Sequence, residues 1–241
     1  MDTPRHKYRT VSDNIYIGDT VKISSRHYLS SELLWSAHHN AHHCRSLENE
    51  LVKIQDIDRD LAVATEHRAC AMMSVLTAVA FLEALVNETF QDAADITYGT
   101  NSRIGPLSEQ CRALMGEFWT ASKEGERYIG VLDKYQMALL FAQKERFDKG
   151  ANPYQNADYL IFLRNKLVHF RPAWHERGGP DEVEKKLASR FKPSALLTGT
   201  GNPWFPGKAL GAGGAEWACA SASSLADAWT ERLGIPRTYE G

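Results

Sequence analysis

The segment from Leu61 to Ala93 constrains the fold more than any other part of the chain. Met72, Val75, Leu76, Val79, Leu82 and Val86 recur every three or four residues, the spacing of one helix face. Ala69, Ala71, Ala78, Ala80 and Ala84 leave room for a neighbouring helix to come close. The longest uncharged apolar-rich run inside it, Ala69 to Leu82, ends at Glu83 and falls short of the ~18 residues that a spanning helix needs. The segment therefore predicts a buried central helix of a soluble core.

Around it the signals are also helical. A first helix is expected to start at Ser30 or Ser31 and to carry Leu33, Trp35, Leu47, Leu51 and Ile54 near helical spacing. A third is expected over Leu107 to Ala121. A fourth runs from Tyr128 to Phe147, with Val131, Leu132, Tyr135, Leu139 and Leu140 as its apolar stripe. Gly150 and Pro153 punctuate the chain before a fifth helix, NADYLIFLRNKLVHF, which stops at Arg171-Pro172 because proline disfavours helical geometry in the residue before it. A short charged helix is expected around Asp181 to Phe191. A last one covers Ala215 to Leu233 and ends at Gly234, a natural C-cap. Only the first thirty residues depart from this pattern: Ile15, Ile17, Val21 and Ile23 alternate with polar residues around Gly18-Asp19, which suggests a short β-hairpin. The expected architecture is all-α. It has an N-terminal hairpin over residues 1–30, a helical bundle over 31–172, and a loop-rich C-terminal extension over 173–241 that packs on the bundle and ends in a helix.

Composition narrows the function. With 28 Lys+Arg against 30 Asp+Glu the net charge is −2, so nucleic-acid binding must rely on a local patch rather than on a broad cationic surface. The four cysteines, Cys44, Cys70, Cys111 and Cys219, are scattered and form no metal-binding spacing, which fits buried free thiols in a reducing compartment. The start, MDTPRHKYRT, is polar and charged, with no apolar stretch behind it to make a signal peptide. A cytoplasmic protein without membrane contact is the expectation.

The fifth helix carries the most chemistry. Leu160, Leu163, Leu167 and Phe170 form an apolar stripe that fixes its buried side, and Arg164, Asn165 and His169 fall off that stripe. Asn165 and His169 are four apart, ~40° around the axis and ~6 Å along it, and the long side chain of Arg164 can bring its guanidinium to the same corner. An always-charged cation, an amide and an imidazole that titrates near neutrality suit a phosphodiester: Arg neutralises the non-bridging oxygens and His moves the proton. The same residues also suit an ordinary exposed helix face, with Arg and His in salt bridges and caps.

RNKLVHFRP, an Arg-Asn-x3-His at a helix end just before proline, resembles the signature of the HEPN superfamily, small helical bundles found in RNases, toxins and defence proteins. AVAFLEALVNETF resembles that superfamily's early helix, in which an acidic residue and an Asn four later recur; here they are Glu83 and Asn87. The stretch from Trp217 to Gly234 is similar to the closing helix of larger stand-alone members. The resemblance spans about residues 31 to 172, and the tail more weakly. It implies a homodimer with the two motif helices facing each other, and a metal-independent endoribonuclease without cofactor. There the substrate's 2′-hydroxyl attacks the adjacent phosphorus to leave a 2′,3′-cyclic phosphate. Arg164 then stabilises the phosphorane, His169 is the general acid or base, and Asn165 orients. Glu83 either orients Arg164 or His169 or serves as a structural partner. Lys166 and Arg171, with Arg177, are candidate RNA contacts. A toxin or anti-phage setting and an antitoxin or other protein partner are also implied. Some toxins of the superfamily carry a Tyr two residues after the His, where a partner attaches AMP; Arg171 stands there, so that form of silencing is not implied. Other members are non-catalytic modules that bind RNA, a nucleotide or a protein, and the motif admits that reading too.

Two further patterns carry less. In SAHHNAHHC, His38/His42 and His39/His43 are two i, i+4 pairs able to chelate a transition metal, but Cys44 and Glu48 are poorly placed to complete either site, and no metal is expected. TGTGNPWFPGK fails as a phosphate loop, since Asn202 replaces the first glycine and Ala209 the Ser or Thr after Lys208. It reads instead as a rigid loop that packs Trp204 and Phe205 on the bundle. The basic residues before it in the arm, Lys185, Lys186, Arg190 and Lys192, read mainly as a solvated helix face.

Overall fold

The computed structural model describes residues 26–54, 60–95, 102–121, 129–172 and 179–239. The hairpin expected over the first thirty residues lies almost wholly outside them. Among the described residues there is no strand, and seven α-helices follow one another: α1 (Ser30–Leu51), α2 (Leu61–Ala94), α3 (Glu109–Ala121), α4 (Val131–Phe141), α5 (Tyr154–Val168), α6 (Glu182–Leu187) and α7 (Ala212–Leu233). The described residues are all-α, as their periodicity predicts.

α2 is the axis of the bundle, with α1, α3, α4, α5 and α7 packed around it. Asp60 caps its start by accepting the Ala62 N–H at 2.7 Å. Val75, Val79, Leu82 and Val86 are buried, together with Phe81 and Phe90 from the flanks of the stripe. At 34 residues the helix is long and apolar enough to cross a membrane by length and composition, but 61% of its most apolar window is buried inside the bundle. That burial is how the central helix of a soluble core behaves.

α1 starts at Ser30, as expected, but no serine side chain caps it. Its N-cap is Leu29, whose side chain cannot cap. Glu88 of α2 does the work instead: Oε1 accepts the backbone N–H groups of Leu29 and Ser30 at 2.7 and 2.9 Å, and Oε2 accepts the Ser30 hydroxyl at 2.7 Å. A carboxylate at a helix N-terminus also meets the positive end of the dipole. Beside it, Asp92 is buried and gathers Arg26, Tyr28 and Arg103; burial pushes its carboxyl up, against the pull of those partners.

The C-terminal helix is built into the bundle. α7 lies against α1, α2, α4 and α5. Trp229 is fully buried and donates its Nε1–H to the Tyr135 carbonyl at 3.1 Å, and the Tyr135 hydroxyl donates to the Leu82 carbonyl at 2.9 Å. Gly234 ends the helix in the left-handed conformation, φ 71°, as the sequence predicts. Where α7 starts, Gly211 has no room for a side chain: a Cβ there would sit 2.5 Å from Ser194 Cβ and 2.8 Å from Glu48 Oε2. Trp204 and Phe205 are both buried against the bundle, as expected of the loop that carries them.

All four cysteines are free and buried. Burial pushes the Cys44 and Cys219 thiols up to about 12, so neither is a thiolate near neutral pH. Iodoacetamide at pH 8 is expected to leave both unmodified in the native protein and to label them once it is unfolded, as mass spectrometry of the alkylated chain would show.

Candidate functional site

α2, α5 and the start of α4 meet around a cavity of about 550 Å³. α2 contributes Glu83 and Asn87, one turn apart on the same face, and α5 contributes Ile161, Arg164 and Asn165. Ile129, Gly130 and Val131 close the third side, where Gly130 is the N-cap of α4. Four residues singled out in the sequence, Glu83, Asn87, Arg164 and Asn165, therefore line one space although they come from segments some eighty residues apart.

Local packing explains how α5 presents them. Leu160 and Leu163 are fully buried and fix the inner side of the helix, with Ala157 and Tyr154 one and two turns before Leu160. Arg164 follows Leu163 and is half-buried. Its Nε is buried and, among the described residues, makes no hydrogen bond. Arg164 and Glu83 share the cavity without forming an ion pair among the described residues. Among the described residues no carboxylate takes up the guanidinium, the condition under which an arginine can receive an anion.

His169 sits elsewhere. The helix ends at Val168, and His169 is its C-cap, donating its backbone N–H to the Asn165 carbonyl at 3.0 Å. Its side chain is exposed and is not among the cavity's lining residues. Phe170 follows the end of the helix, 48% exposed, with its ring edge-on to Phe205 at 6.2 Å, so the apolar stripe runs inward only as far as Leu167. Val168 and Phe170, the chain neighbours of His169, are exposed apolar side chains.

The basic residues near the motif have mixed placements. Lys166 is tied to Glu182 of α6 at 2.7 Å, and the same carboxylate takes Lys186 at 3.1 Å. Arg171 is exposed just past the helix. Arg190 turns back onto α5, bonding Asn156 and Gln155 at 3.0 and 2.8 Å and lying over the Tyr159 ring. Arg177 falls outside the described residues. On α1, His38, His39 and His42 are exposed. His43 bonds Glu66 at 2.9 Å, and the His39 ring stacks on Trp35 at 4.8 Å. Among the described residues no group of three or more His, Cys, Asp or Glu side chains is arranged to hold a metal ion.

One residue beside the cavity was not singled out in the sequence. Lys134 of α4 is 1% exposed, and its Nζ donates to Asn87 Oδ1 at 2.8 Å with the Trp119 ring 5.4 Å away. The signal was present: Lys134 lies one turn after Val131, on the buried side of an apolar helix, and a buried lysine needs a partner for its charge. No protein-family model matches the chain, and no curated protein or solved structure matches it.

Proposed function

We propose that this chain is a HEPN-like protein that acts as a homodimeric, metal-independent endoribonuclease in the cytoplasm, in a toxin or anti-phage defence setting with an antitoxin or other protein as its partner. The observation that carries the reading is the meeting of Arg164 and Asn165 with Glu83 and Asn87 around one cavity, next to a helix end that holds His169 in solvent. In the reaction the ribose 2′-oxygen forms a bond to phosphorus and the bond to the 5′-oxygen breaks. The 2′-proton leaves to a general base, and a general acid protonates the departing 5′-oxygen. Arg164 balances the charge of the phosphorane, Asn165 orients the phosphate, and His169 moves a proton. One imidazole supplies half of an acid–base pair, and a second copy of the chain supplies the other. The exposed Val168 and Phe170 on either side of His169 give that second copy an apolar surface to cover.

One observation favours a different reading, a non-catalytic module that binds RNA, a nucleotide or a protein: His169 is not part of the cavity that Arg164 lines. Incubation with end-labelled RNA in EDTA separates the two. The nuclease reading expects cleavage that survives chelation, leaves 2′,3′-cyclic phosphate ends, and falls about 10²–10³-fold in Arg164→Ala, the loss typical of removing one donor to an oxyanion. An intact dimer that binds RNA but cuts none overturns it in favour of the module.

A further inference from the structure

We infer that Lys134 is a positioning residue for the cavity: from beneath it, its buried ammonium holds the Asn87 side chain so that the amide N–H₂ faces an anionic group bound beside Arg164. The role assigned to that anion, the scissile phosphate, rests on the nuclease reading above. The orientation of Asn87 does not.

The argument starts from what an ammonium can do. Lys134 Nζ lies 2.8 Å from the Asn87 side-chain amide, and an ammonium only donates, so the atom that faces it is the amide oxygen. With Oδ1 turned back to Lys134, Nδ2 and its two hydrogens point the other way. Asn87 lines the cavity, so those hydrogens are donors on the cavity side. The reach follows from helix geometry: side chains lean toward the N-terminus of their helix, and Lys134 stands one turn beyond Val131, which lines the cavity. Taking an ammonium to 1% exposure is costly unless acceptors offset it, and the Asn87 amide oxygen is one acceptor that does so. Held there, the charge does two things. It fixes a donor that would otherwise flip between two amide orientations, and it adds a positive potential behind Asn87 where a phosphorane would gain negative charge.

The test uses the full chain and four variants: Lys134→Met, Lys134→Gln, Asn87→Ala, and the Lys134→Met/Asn87→Ala double. Glutamine keeps a donor toward Asn87 while removing the charge. Cleavage of labelled RNA in EDTA gives kcat and KM, and the side-chain ¹H–¹⁵N signal of Asn87 is followed on addition of inorganic phosphate. The expected result is a kcat loss of about 10²-fold in Lys134→Met with KM changed less than about threefold, a comparable loss in Asn87→Ala, and no further loss in the double. Lys134→Gln should keep more activity than Lys134→Met. Losses that multiply in the double variant, native kcat in a folded Lys134→Met, or unfolding of both lysine variants would each overturn the inference while leaving the nuclease reading in place. If the native protein cuts no RNA, that reading falls and the phosphate titration decides: a shift of the Asn87 signal that disappears in Lys134→Met supports the positioning role, and no shift, or the same shift in both, overturns it.

Discussion

Replacing His169 with alanine is expected to lower RNA cleavage by about 10²–10⁴-fold, the range for losing a general acid–base group, while the melting temperature stays within a degree or two. The two halves of that expectation come from one observation. The His169 side chain is exposed and, among the described residues, makes no hydrogen bond, so its removal costs the fold little. A variant that keeps its Tm and dimeric state but loses cleavage assigns the imidazole to chemistry. Arg164 gives a less clean test because it is half-buried, and truncating it also disturbs packing. Mixing native with His169→Ala protomers adds a check on the dimer: if one site draws an imidazole from each chain, the mixed dimer loses cleavage as the His169→Ala homodimer does.

The largest stability effect is expected at Glu48. Its side chain, on a residue 2% exposed, accepts His67 Nε2 at 2.9 Å, the Ala212 N–H at 3.0 Å and the Ser194 hydroxyl at 3.1 Å, which ties α1 to α2, to the segment before α7 and to the first turn of α7. Glu48→Ala leaves all three partners buried without an acceptor and should cost about 3–5 kcal/mol. In a chain of this length that is about 6–20 °C in Tm, readable by calorimetry. The pH dependence has a definite sign. Burial alone would raise this carboxyl, but the hydrogen bonds from His67, Ala212 and Ala195 outweigh it and hold it down at about 2, against an ordinary 4.5. A lowered folded value stabilises the protein above the ordinary carboxyl range and is lost as pH falls from 4.5 toward about 2. Native protein should therefore lose stability through that interval more steeply than Glu48→Gln, and equal slopes in acid titrations followed by circular dichroism would contradict the assignment.

What could be read in advance follows from the range of the forces involved. Patterns set within one helix were legible: the buried face of Leu61 to Ala93, the left-handed stop at Gly234, the inward turn of Leu160 and Leu163, the burial of every cysteine. Features set by a distant partner were not. Ser30 and Ser31 are good caps by type, but the start of α1 is held by Glu88, 58 residues from Ser30. α4 was expected to reach Phe147 and stops at Phe141, because the chain leaves it through Gln143 at φ 54°, a left-handed position that sequence reading assigns to glycine or asparagine. Trp35 and Leu140 have helical spacing yet are about half exposed, since spacing gives a face and not the neighbour that covers it. The same limit applied to the candidate site. Arg164, Asn165, Glu83 and Asn87 were legible as residue types at helical intervals. That α5 ends one residue short of His169, leaving the imidazole exposed and outside the cavity's lining, depends on where backbone hydrogen bonding stops.

The placement of α7 bears on how the polypeptide is made. Trp229 and Leu225 fill the middle of the bundle, and the first turn of α7 is anchored on a carboxylate of α1. The helices that carry Glu83 and Arg164 therefore have no complete core until α7 has left the ribosome. The space between α2 and α5 thus takes its final form only after a helix that follows both of them in the chain has joined the bundle.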